Sequence, residues 1–165
     1  MVDPNAILAR LDSIRAATLQ RLAGLTQDQL DWLPPAQSEA GEAEIWSLGE
    51  IFMHLAIDEH YLREQIARPL LEGVQPPAGV SFLPPPPPYA VAKEVIEFWF
   101  QRARLMTRRL IGNWPQDANL ELQHEGGLRL MNGAEWLDGY GGHEGFHQGQ
   151  IDTLMAQLPQ SVTEA

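Results

Sequence analysis

Apolar positions recur at intervals of three and four residues in four long stretches of the chain, which predicts four amphipathic helices. In the first stretch Ile7, Leu8, Leu11, Ile14, Thr18, Leu22 and Leu25 share one face. Asp3 stands ahead of them as a capping residue, followed by Pro4, whose fixed φ and missing amide suit a first helical position. The second helix starts within WSLGEIFMHLAIDEHYL, where Ser47 and Glu50 form a capping box. Its stripe is Leu48, Ile51, Phe52, Leu55, Leu62 and Ile66. The third runs from about Tyr89 with Ala92, Val95, Ile96, Trp99, Ala103, Met106 and Leu110 on one face, and Gly112 and Pro115 end it. Asn132 and Glu135 mark a capped start for the fourth, which runs to about Leu158 before Pro159 stops it.

Between these stretches, TQDQLDWLPPAQSEAGEAE reads as a loop because prolines and small polar residues dominate it. FLPPPPP reads as a stiff polyproline spacer within a long crossover, since neither side alone holds enough helix to close a core. NLELQHEGGLRLMNG alternates apolar and polar residues around Gly126 and Gly127 and admits a small hairpin. There is no internal repeat. The expectation is all-α: one domain spanning residues 1–165, a four-helix bundle with long crossover connections.

Composition narrows the partners. A formal net charge of −11 with a single lysine, Lys93, argues against a nucleic-acid surface. Cysteine is absent, which removes disulfides, thiolate ligands and a cysteine nucleophile; thiol chemistry would need a thiol from outside. MVDPNAILARLDSIRAATL has no continuous apolar run and reads as neither a secretory signal nor a membrane span, so the expected location is the cytoplasm.

The chemistry concentrates in the fourth helix. Trp136, Tyr140, His143, His147, Ile151, Leu154 and Leu158 follow the helical spacing, so both histidines fall in the inward stripe, about 40° apart around the axis. Residues 143–147, HEGFH, match the H-E-x-x-H signature of zinc proteases. The long form of that signature fails, because Gln150 stands where a glycine belongs and Thr153 where the last histidine belongs. The short form needs a downstream glutamate, and the only one in the eighteen residues after His147 is Glu164, beyond Pro159. A third ligand must come from upstream, and His54, at the edge of the second helix's stripe, is the candidate. Three neutral imidazoles around a divalent ion leave a position open, as in catalytic zinc sites. Without an ion, the same residues would be hydrogen-bonded core histidines. His60 is expected to face water, and His124 falls in the hairpin segment. E-x-x-H also occurs at Glu144 with His147 and at Glu121 with His124, but a di-iron bundle needs inward glutamates on all four helices and the first helix has none.

WSLGEIFMHLAIDE and HEGFHQGQI, together with LTQDQLDWLPP after the first helix, resemble the hallmark segments of the DinB/YfiT-like superfamily. The resemblance implies an up-down-down-up bundle, often a homodimer, holding a divalent metal through three histidines, here His54, His143 and His147. It further implies thiol-dependent S-transfer or isomerisation as the leading chemistry, with bacillithiol, mycothiol or glutathione as co-substrate. Metal-assisted hydrolysis stands behind it, and a non-enzymatic bundle with a structural metal or a docked partner is the rival. Zinc and nickel head the candidate metals, although three imidazoles also suit iron and copper. Two carboxylates are candidate helpers. Asp58, one turn after His54, is either an acceptor orienting that imidazole, a ligand, or a surface carboxylate, and Glu144 is either a general base or a solvated glutamate. Trp46, Trp99, Trp136 and Tyr140 are candidates for a pocket wall, for core or for a dimer interface.

Overall fold

A computed structural model of the chain describes residues 2–34, 46–81, 90–126 and 129–159. Four long helical elements dominate it: α1 (Pro4–Ala23), α3 (Leu48–Leu62), α5 (Lys93–Gly112) and α6 (Gly133–Met155), with short helices α2 (Gln27–Asp31) and α4 (Arg68–Leu71). The expected caps form. Asp3 accepts from the amides of Asn5 and Ala6, and reciprocal boxes close the starts of α3 (Ser47 with Glu50) and α6 (Asn132 with Glu135). The hairpin also forms, as two-residue strands β1 (His124–Glu125) and β2 (Leu130–Met131) paired antiparallel.

Cross-helix contacts fix the topology. Arg10 meets Asp138, Arg15 meets Glu144 and Arg21 meets Asp152, so α1 and α6 run parallel. Phe52 packs on Phe100 while Glu59 and Arg63 reach Arg104 and Thr107, so α3 and α5 run parallel as well. Asp12 with Arg104 and Lys93 with the Leu25 carbonyl make α1 antiparallel to α5, and His54 with His143 beside the approach of Gly133 to Ala67 makes α3 antiparallel to α6. The order is therefore up-down-down-up.

Four sequence expectations need correction or completion. The stretch expected as loop after the first helix contains α2, because Thr26 and Gln29 form a third capping box there; the rest of that stretch, from Pro35 to Glu44, lies outside the described residues, as do the polyproline spacer and Tyr89 itself. The third long helix, expected from about Tyr89, starts at Lys93, because Ala92 is extended and serves as its N-cap. The second helix continues past Ile66 to Leu71 through a π-helical turn, Arg63–Ala67. Pro69 accounts for that turn: it has no amide to donate and its ring crowds the carbonyl one turn back, which a widened turn relieves. On α5 the buried face is Ile96, Phe100, Ala103, Arg104, Thr107 and Ile111, whereas Val95, expected inside, is 43% exposed. An apolar count cannot find that face, because two of its members are polar.

The core divides into two apolar clusters. One gathers Ile7, Leu11, Leu62, Ile66, Leu70, Trp136 and Leu137, the other Leu22, Leu30, Leu48, Phe52, Leu55, Ile96, Phe100 and Ile151. Between them lies a buried ionic layer of Arg15, Glu59, Arg104 and Glu144. Gly133 allows α6 to start against the end of the α3 extension: a Cβ there would stand 2.5 Å from the Ala67 carbonyl oxygen.

Candidate metal centre

Three polar anchors set the rotation of α6. Glu144 takes Arg15 in a two-point pair, with Nε to Oε1 at 2.8 Å and Nη2 to Oε2 at 3.1 Å, and accepts from the Thr18 hydroxyl at 2.7 Å. The Gln148 amide donates to the Ile14 carbonyl and to Thr18. The Tyr140 hydroxyl donates to the Leu55 carbonyl at 2.7 Å; burial holds that phenol well above its ordinary range, so it stays a donor. With those contacts made, His143 and His147 face His54 on α3.

The three histidines converge. One nitrogen from each of His54, His143 and His147 lies within 4.8 Å of the other two, the only such group of three among the described residues. His54 Nε2 and His143 Nε2 are 3.2 Å apart. Two imidazoles on one tetrahedral zinc, each about 2.0–2.1 Å from it, hold their nitrogens about 3.3 Å apart. The donor set and its spacing thus fit a divalent cation. Burial pushes His54 down to about 4, with Asp58 opposing and the other two histidines reinforcing the shift, and burial also lowers His147. Both rings therefore carry lone pairs at neutral pH. His147 Nδ1 lies 2.9 Å from Gln150 Oε1, an atom that can only accept, so Nδ1 holds the proton and Nε2 is left for a ligand.

The remaining candidates fall in other places. Asp58, considered as a partner of His54, a ligand or a surface group, is fully buried and so is no surface carboxylate; its Oδ2 lies 3.1 Å from His143 Nε2, and its charge acts on His54 as well. Glu144 is not solvated; it is fully buried, and Arg15 and Thr18 occupy its oxygens, so nothing in the geometry supports the general-base reading. His60 is exposed, with Nδ1 beside Arg63, and His124 is buried in the hairpin with Nε2 on the Val80 carbonyl; neither joins the triad. Trp136 and Tyr140 are core and Trp99 is half-buried beside His60, while Trp46 lies against His147 and His54. The sequence reading missed Arg15, Glu59, Arg104 and Gln150. Arg15 had a signal, since it sits four residues after Leu11 and three before Thr18, in the middle of the apolar face.

The family model of the DinB superfamily matches residues 10–151, and the chain belongs to that superfamily. No curated protein and no solved structure matches it. Among the described residues no helix is long and apolar enough to cross a membrane.

Proposed function

We propose that the protein is a metal-dependent enzyme in which His54, His143 and His147 hold a divalent ion, zinc or nickel, and that the leading reaction is transfer of a small thiol to a small-molecule acceptor. The convergence of three imidazole nitrogens within 4.8 Å, two of them at tetrahedral-edge spacing, carries this reading. A divalent ion so held lowers the pKa of a thiol or water brought to its open position. The chain's own contributions are specific. Burial keeps His54 neutral and Gln150 fixes the His147 tautomer. Asp58 presents a carboxylate oxygen on the ligand-bearing side of His143, where it can accept the proton that the nucleophile releases. The same proton acceptor would serve a water nucleophile, which keeps hydrolysis as the second reading.

A homodimer belongs to the same proposal. Val95, Phe98 and Leu105 stand 43%, 58% and 43% exposed on α5, an apolar strip that a second copy would cover.

Metal content by mass spectrometry, on untagged wild type beside His54→Ala and His124→Ala, tests the centre. One equivalent in wild type and His124→Ala with loss in His54→Ala is expected. Metal retained without His54, or none in any variant after reconstitution, would overturn the three-histidine centre. A thiol-transfer screen with bacillithiol, mycothiol and glutathione then separates transfer from hydrolysis.

A further inference from the structure

Phe146 has no role in the core. It is 73% exposed, the largest exposure among the large hydrophobic side chains described, yet its ring centroid lies 5.3 Å from that of His147 at 76°. The neighbouring α6 positions 142, 145 and 149 are glycines with open space where a Cβ would stand, so nothing on that side shields the ring. Trp46 meets the triad from the start of α3. It stacks on His147 at 5.9 Å and 14° and meets His54 in a T-shaped contact at 5.0 Å and 72°. Of the three imidazoles, His54 and His147 are buried and His143 is the most open, its side chain 18% exposed. The mouth of the centre therefore lies at His143. Phe146 follows it by three residues, a neighbour on the same helical face.

From these positions we infer that Trp46 and Phe146 are specificity-determining residues of the centre, selecting ligands that carry an apolar, preferentially aromatic, group beside the atom that reaches the metal. The inference rests on the metal-binding reading of the triad and adds the class of ligand. A ligand entering at His143 passes Phe146 before its donor atom reaches the imidazole nitrogens. Its side group then lies among aromatic surfaces at the 4.5–7 Å ring separations where such pairs attract. A hydroxyl or carboxylate in that place finds no comparable contact, because neither ring offers it a strong donor or acceptor along its face. Two ring contacts of ordinary strength give a preference on the order of tenfold.

The test uses the full chain loaded with cobalt(II), titrated with benzyl mercaptan and with 2-mercaptoethanol while the sulfur-to-cobalt charge-transfer band is followed. Wild type should bind benzyl mercaptan about tenfold more tightly. Phe146→Ala should cut that ratio to about threefold or less while 2-mercaptoethanol still binds, and Phe146→Tyr should keep the ratio. Equal affinities in wild type, an undiminished ratio in Phe146→Ala, or no response of the cobalt spectrum to either thiol would overturn the inference while leaving the bound metal in place. Failure of cobalt to bind at all would instead remove the metal reading, and this inference with it. Sedimentation of the same variants supplies the last arm: a wild-type dimer that becomes monomeric in Phe146→Ala would assign the ring to an interface between copies and overturn ligand selection.

Discussion

Replacing Arg15 by methionine tests how the ionic layer holds the bundle. The wild-type layer balances two guanidinium groups, Arg15 and Arg104, against two carboxylates, Glu59 and Glu144, all four side chains at most 6% exposed. Methionine fills much of the volume but removes one positive charge. Glu144 is left with the Thr18 hydroxyl and with Arg104 at 3.8 Å, and Glu59 keeps Arg104 and Thr107. Arg15 also donates to Tyr140 and lies over the Phe100 ring at 4.1 Å, contacts that vanish with it. Breaking a buried pair by removing one partner costs about 3–5 kcal/mol. In urea, with a slope of about 2 kcal/mol/M, that lowers the far-UV CD midpoint by about 2 M.

Two further readings of the same variant sharpen the test. Adding Glu144→Gln should recover part of the loss, since it removes the charge left unpaired, and the coupling should reach about 0.5–3 kcal/mol. Burial alone would raise the Glu59 carboxyl, but Arg15 and Arg104 outweigh it and hold it below the usual range. Its contribution is therefore full above the unfolded value of about 4.3 and is lost as pH falls through the folded value, so the gap between wild type and Arg15→Met should narrow in acid. A loss below about 1 kcal/mol, or no coupling with Glu144→Gln, would refute the view of this layer as a mutually dependent charge set.

Gln150→Leu should weaken metal binding by about 10–100-fold, measured by competition with a chromophoric chelator, because His147 loses the acceptor that fixes its tautomer. The metal-free protein should lose stability as pH falls from 6.5 toward about 4, since the unfolded chain binds a proton at His54 that the buried ring refuses; urea midpoints across that window should flatten in His54→Gln. Two glycines of α6 should respond with opposite signs in thermal unfolding. Gly145→Ala, into open space, should stabilise by about 0.5–1 kcal/mol, whereas Gly133→Ala, whose methyl would meet the Ala67 carbonyl, should destabilise by about 1–3 kcal/mol.

Much of this architecture is local and was legible in the residues. Asp3, Ser47 and Asn132 each place an acceptor beside amides that a helix start leaves unpaired, so they mark boundaries without any knowledge of the fold. The apolar period gave the inward faces of α1, α3 and α6, and with them the side of α6 on which His143 and His147 lie. Tertiary structure decided what period cannot express. Arg15, Arg104 and Thr107 occupy core positions only because Glu59 and Glu144 arrive from other helices to meet them, so a scale that scores each residue alone places them outside. That is why an apolar period misplaces the α5 face and leaves Glu144 open as a base or a solvated glutamate. The same holds at the histidines: the spacing on α6 aligned two rings, but the 3.2 Å approach of His54, the turn of Asp58 toward His143 and the stacking of Trp46 on His147 arise only when α3 packs antiparallel on α6. Period and capping are properties of one segment. A donor cluster belongs to the packing of two.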